Sequence, residues 1–208
     1  ARCDRGDRRS RRAAHHRRVR PHRRGRGAPR RRDHRRDLAR TPLLAPRAPM
    51  ASRTLRIATW NVNGLRARAK RVAAWLDSAQ PDIVLLQETK CDPSQIPEGL
   101  FSTRSFEVAA LGAGGRNGVL IASRHGLSDV QESIADHAPE RHDEALPDLL
   151  GEPRLISAVC GGLRVASVYA PNGREVDAPH FHAKLHWYGA LRSWSAERIA
   201  ESAPLLLG

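Results

Sequence analysis

The chain is poor in the residues that would fix several common classes of protein. It has three cysteines, Cys3, Cys91 and Cys160, in 208 residues. No C-x₂-C spacing is present, so neither a thiolate zinc site nor a disulfide framework is indicated; isolated thiols fit a reducing cytosol. No apolar run approaches the length of a membrane-spanning helix, which excludes that class of span. Aromatic residues make up only 4% of the chain. The glycine-rich stretch Gly112–Gly115 lacks the Lys-Ser/Thr of a phosphate-binding P-loop. No internal repeat is visible.

Positive charge is abundant but unevenly placed. The net charge is +14, and residues 1–49 hold 19 of the 36 Lys and Arg but only 4 of the 22 Asp and Glu. The rest is close to neutral. Overall basicity is therefore no argument that the body binds a polyanion, although a local patch still can. Residues 1–49 are mostly Arg, Ala, Pro, His and Gly, a composition that cannot bury enough apolar surface to offset chain entropy. We expect a disordered Arg-rich leader. Three origins compete: a nucleic-acid-binding arm, a transit peptide, and translated sequence upstream of the true start. Four aspartates and scarce serine count against the transit peptide. The sole methionine is Met50, just before the body begins, so we adopt the third reading and set the leader aside.

The body alternates buried strands and amphipathic helices. Leu55–Trp60 is an apolar run that ends in an Asn-x-Asn-Gly turn. Arg68–Ala79 carries Val72, Trp75, Leu76 and Ala79 at helical spacing, and Pro81-Asp82 ends it. Ile83–Leu86 is a second buried strand, giving a βαβ-like start to a layered α/β fold. Strands follow over 106–110, 118–122, 155–160 and 163–169, with Gly161-Gly162 as a hairpin turn. A polar surface loop is expected over 129–151. A helix over 179–199 packs through Trp187, Leu191 and Trp194, and Leu205–Leu207 begins another strand.

Candidate chemistry sits at the strand ends. Glu88 follows a buried strand, where a carboxylate can hold a hard cation, although a lone Glu there is more often solvated. Asn61 and Asn63 can orient a nucleophile or ligate through carbonyls, or simply make a turn. Arg66, Arg68 and Lys90 can grip phosphates. Tyr169 and Asn172 close another strand and offer a hydroxyl and an amide to a phosphate. His180, His182 and His186 are spaced i, i+2, i+6, which does not place all three on one helical face; we read them as exposed helix-start residues.

Taken in order, Trp60-Asn61-Val62-Asn63-Gly64-Leu65-Arg66, Gln87-Glu88-Thr89-Lys90, Asn117-Gly118-Val119, Tyr169-Ala170-Pro171-Asn172-Gly173 and Lys184-Leu185-His186-Trp187 resemble the exonuclease III family of DNA-repair enzymes. The resemblance runs from about Leu55 to Gly208 and excludes the leader. It implies a four-layered α/β sandwich, with two mixed sheets face to face and helices outside. It implies Mg²⁺-dependent hydrolysis, with Mn²⁺ able to substitute. The substrate would be double-stranded DNA, cut at abasic sites or trimmed from 3′ ends. By motif, Glu88 and Asn63 are metal-site residues, Asn61 and Tyr169 catalytic, and Arg66, Lys90 and Asn172 phosphate-binding. The implied protein is a monomer without a membrane partner, cytoplasmic and nucleoid-associated in a bacterium.

The family's Gly-Asp-x-Asn and its later Asp-His pair do not occur after Leu205–Gly208. On that basis residues 50–208 are expected to be the N-terminal portion of the domain, with a weak or inactive site. Two other functions stay open: nucleic-acid binding through the Arg-rich leader, and a superfamily phosphatase.

Overall fold

The computed structural model describes residues 54–141, 143, 145–201 and 204–208. The leader and its boundary at Met50 lie outside the described residues. The chain forms β1 (Ile57–Asn61), α1 (Leu65–Ala79), β2 (Ile83–Gln87), β3 (Glu107–Leu111), β4 (Val119–Ser123), β5 (Ser128–Gln131), β6 (Leu155–Cys160), β7 (Leu163–Val168), α2 (Pro179–Ala200) and β8 (Leu205–Leu207).

Two four-stranded sheets result, ordered β1-β2-β4-β3 and β5-β6-β7-β8. β1 and β2 are parallel, as the intervening helix requires, with Ile57 opposite Ile83 and Asn61 opposite Gln87. β7 and β8 are also parallel, with α2 as the connection. The other pairs are antiparallel, so both sheets are mixed.

The continuous apolar strands make sense once their two faces are separated. Side chains alternate sides along a strand. Val84 and Leu86 of β2, with Leu120 and Ala122 of β4, pack under Leu65, Val72 and Leu76 of α1. Ile83, Leu85, Val119 and Ile121 point the other way, against Ile156, Ala158, Cys160 and Val165 of the second sheet. That sheet's outer face, through Leu155 and Ala166, meets Ala183, Trp187, Ala190 and Trp194 of α2. These four lie at i, i+4, i+7 and i+11, one helical face. The order helix, sheet, sheet, helix is the expected four-layered sandwich. A polar tie crosses the central layer: Gln87 Nε2 donates to Ser167 Oγ at 3.0 Å, and Ser167 Oγ donates to the Leu86 carbonyl at 2.8 Å.

The expected loop over 129–151 differs in one respect. Its first residues complete β5, which pairs with β6 through an irregular register. Ser128, Asp129 and Val130 are all exposed, so this edge strand carries no apolar signature. Tertiary pairing holds it, and intrinsic preference does not. Beyond it, Ile134 and Leu149 are buried against α2.

Candidate functional site

The site is built where three chain crossings leave the first sheet side by side. Val62 N donates to the Gln87 carbonyl at 2.9 Å, Gly64 N to the Glu88 carbonyl at 2.7 Å and Leu65 N to the Thr89 carbonyl at 2.9 Å. From the other side, Thr89 N and Lys90 N donate to the carbonyls of Gly118 and Asn117 at 3.1 and 2.9 Å. The segment 87–90 is thus fixed by backbone on both flanks. Glu88 and Lys90 each adopt φ of 53°, and Asn63 φ of 44°. Left-handed backbone is unfavourable for Glu and Lys and persists only where surroundings enforce it. Here it turns both side chains to one side.

Three side chains converge on Glu88, and a fourth, Asn63, ties two of them together. Asn61 Nδ2 donates to Glu88 Oε1 at 2.7 Å. Asn61 Oδ1 accepts from Asn63 N at 3.0 Å, which fixes the amide so that its NH₂ faces the carboxylate. Lys90 Nζ pairs with Glu88 Oε2 at 3.1 Å and donates to Asn63 Oδ1 at 2.6 Å. The Tyr169 hydroxyl reaches toward the carboxylate from the second sheet, near enough for each group to shift the other's proton affinity. The Asn61 bond, more than any other contact, holds the Glu88 carboxyl below the usual carboxylate range, against a smaller opposing effect of burial. Burial and the neighbouring Glu88 anion push the Tyr169 phenol up. Tyr169 is therefore a protonated donor at neutral pH, and Glu88 an anion.

Of the residues singled out in the sequence, Asn61, Asn63, Glu88, Lys90 and Tyr169 come together. Arg66 is exposed on the first turn of α1. Arg68 donates to the Asn63 carbonyl and so braces the turn. Asn172 is exposed, its Oδ1 accepting from Arg174 N at 2.8 Å. His186 Nε2 lies 3.0 Å from the Pro139 carbonyl.

Three further residues attach to this site that spacing did not single out. Arg154 lies over the Tyr169 ring, with Cζ 5.0 Å from the centroid. Glu152 Oε2 accepts from Arg154 Nε at 2.6 Å and from Asn117 Nδ2 at 3.2 Å. No local pattern marks a lone Arg at the start of a strand; only Asn117 had appeared in the ordered motif series.

Glu88 is the one carboxylate in the cluster, and among the described residues no group of three or more His, Cys, Asp or Glu comes together. The donor set is a single ionised carboxylate with oxygen-bearing neighbours. That fits Mg²⁺, which commonly takes one or two carboxylates and fills the rest of its shell with water and phosphate oxygens. It does not fit zinc, which wants several nitrogen or sulfur ligands.

Residues 58–208 match the model of the endonuclease/exonuclease/phosphatase family. The chain is 24% identical over 155 residues to exodeoxyribonuclease III of Haemophilus influenzae, an alignment that covers 74% of this chain and 55% of that protein. Among solved structures, a 3′ phosphatase from Neisseria bound to a product DNA hairpin superposes with a TM-score of 0.61 at 34% identity, over 71% of this chain and 53% of that one. An AP endonuclease from Archaeoglobus fulgidus gives 0.58 at 36% identity, over 66% and 49%. The chain spans about half the length of these relatives.

Proposed function

The chain belongs to the endonuclease/exonuclease/phosphatase family as an exonuclease III-like member, and on that premise we propose that it is a DNA-repair phosphodiesterase whose phosphate site is organised around Glu88. The observation that supports this is the convergence of Asn61, Lys90 and Tyr169 on one ionised carboxylate from both sheets. The substrate is double-stranded DNA, attacked at abasic sites or at 3′ ends. The protein works as a monomer in the bacterial cytoplasm, at the nucleoid.

In this reading Glu88 holds Mg²⁺ (or Mn²⁺), with Asn63 beside it. The bound ion supplies charge neutralisation on the phosphate and at the departing oxygen. Asn61 has a catalytic task of placement: it fixes which way the carboxylate faces. The protonated Tyr169 hydroxyl offers a donor to a phosphate oxygen. Lys90, Arg66 and Asn172 grip the backbone of the strand; such contacts position DNA without reading its sequence. A proton acceptor for the attacking water is a separate requirement. The neutral amides of Asn61 and Asn63 do not serve, nor does the protonated Tyr169 phenol. Binding of DNA is a readout of this site that does not depend on that acceptor.

The experiment compares the chain with Glu88→Gln, measuring anisotropy of a labelled abasic duplex with and without Mg²⁺. Mg²⁺ tightens binding to the unaltered chain, and Glu88→Gln removes that Mg²⁺-dependent gain. Binding indifferent to both refutes the reading. A phosphoinositide substrate run in parallel tests the phosphatase alternative, which gains if Mg²⁺ promotes its turnover and leaves the DNA untouched.

A further inference from the structure

The contacts around Tyr169 form a closed ring that crosses the two sheets. The Tyr169 hydroxyl interacts with the Glu88 carboxylate. The Tyr169 ring lies beneath the Arg154 guanidinium. Arg154 Nε donates to Glu152, Glu152 accepts from the Asn117 side chain, and the Asn117 carbonyl accepts from Lys90 N. Lys90 Nζ returns to Glu88. Glu88, Lys90 and Asn117 belong to loops of the first sheet; Glu152, Arg154 and Tyr169 flank strands of the second. Arg154 and Tyr169 are also joined through the main chain: Tyr169 N donates to the Arg154 carbonyl at 2.7 Å, and Arg154 Nη1 approaches the Tyr169 carbonyl at 3.4 Å.

We propose that Arg154 is a positioning residue for the site: held by Glu152, which Asn117 anchors in turn, it holds the Tyr169 ring so that the hydroxyl stays beside Glu88. Three features support this role over that of a surface cation. Arg154 is buried, with 9% of its surface exposed, and a buried guanidinium is kept only where its charge and its donors are matched. Its plane is used on the ring face, which an ammonium cannot reproduce. Its carboxylate partner is itself fixed from the opposite sheet. The clamp therefore also sets how the two halves of the site face one another. Placement of this kind is costly to lose, because a misplacement of about 1 Å can reduce a rate on the order of a hundredfold. The proposal takes from the phosphodiesterase reading only what Tyr169 does; how Tyr169 is held stands independently.

The chain has two tyrosines, Tyr169 and Tyr188. A Tyr188→Phe chain grown on meta-fluorotyrosine leaves Tyr169 as its one fluorine reporter. Spectra are taken at or below neutral pH, where the phenol stays protonated. Two variants are compared: Arg154→Lys, which keeps the charge but loses the planar fork, and Glu152→Gln, whose side chain anchors Arg154. Near-UV circular dichroism of the tryptophans checks the fold. We expect both variants to move the resonance toward that of free fluorotyrosine while the dichroism is kept. An unchanged resonance in either folded variant overturns the proposal. If Arg154→Lys fails to fold, Glu152→Gln alone decides. Hydrolysis plays no part in this readout, so absence of Mg²⁺-dependent DNA binding would refute the functional reading and leave the clamp intact.

Discussion

Gly118 makes a quantitative test of how the 87–90 segment is held. Its φ is +91°, and a Cβ placed there would lie 2.3 Å from Thr89 Oγ1, 3.3 Å from Lys90 N and 3.5 Å from the Leu111 carbonyl. Gly118→Ala therefore meets two separable costs. The left-handed backbone costs about 1–2 kcal/mol for a residue with Cβ. The overlap with Thr89, which is buried, adds roughly 1–3 kcal/mol of overpacking. Gly114→Ala isolates the first cost, since Gly114 has φ of +80° and nothing within 4 Å of its Cβ position. Chemical unfolding followed by tryptophan fluorescence should place Gly118→Ala about 1–3 kcal/mol below Gly114→Ala. Thermal midpoints should separate by some 2–4 °C per kcal/mol for a domain of this size. Thr89→Ala removes the atom that clashes, so the Gly118→Ala/Thr89→Ala pair should be less destabilised than the sum of its parts, by about 0.5–3 kcal/mol. Equal midpoints for Gly118→Ala and Gly114→Ala would refute the reasoning, because the close approach of Gly118 to Thr89 would then exert no constraint.

Three other outcomes are expected. Asn61→Ala removes the main contact that keeps the Glu88 carboxyl below its ordinary range; stability from a depressed carboxyl is present above its unfolded-state pKa and lost as pH falls through the folded value. In metal-free buffer the variant should thus unfold about 1 kcal/mol more easily at neutral pH, with the gap closing in acid; a gap that persists in acid would contradict this. Trp187→Ala empties the centre of the α2 interface and should cost about 3–5 kcal/mol, whereas Trp194→Phe, which loses the 3.1 Å bond from Nε1 to Gln131 Oε1, should cost about 1–3 kcal/mol by denaturant titration. Deleting residues 1–49 should flatten the salt dependence of DNA binding, each lost phosphate contact lowering the log–log slope by about 0.9, while Mg²⁺-dependent affinity for an abasic duplex persists; loss of all binding would favour the leader as the binding element.

The parts of the fold legible in the sequence were those whose signal is local. Val72 and Leu76 mark α1 by periodicity, and Ile83–Leu86 marks β2 by apolar continuity. That continuity also encodes the layering: a strand apolar on both faces must lie between two covered surfaces, and β2 does lie between α1 and the second sheet. β5 failed the same test for a physical reason. Ser128, Asp129 and Val130 face solvent, its pairing to β6 is irregular, and no apolar run or alternation within Ser128–Gln131 specifies extension.

The site divides along the same line. Asn61 ends β1, and Asn63, Glu88 and Lys90 lie in the loops that follow β1 and β2, parallel neighbours that one short crossover places side by side, so sequence order brought them together. Tyr169 reached them only across the sheet interface, and Arg154, Glu152 and Asn117 are bound to the site through Tyr169 and Lys90. Their placement depends on the register of β6 against β7, where Leu155 pairs with Val168. Arg154 and Tyr169 flank that first pair and are therefore opposite one another. A shift of one residue would turn every side chain of β7 to the other face, taking Val165 out of the central layer and Ala166 out of the α2 layer. The burial of those two residues thus fixes where Tyr169 falls, and through it the distance between Arg154 and Glu88.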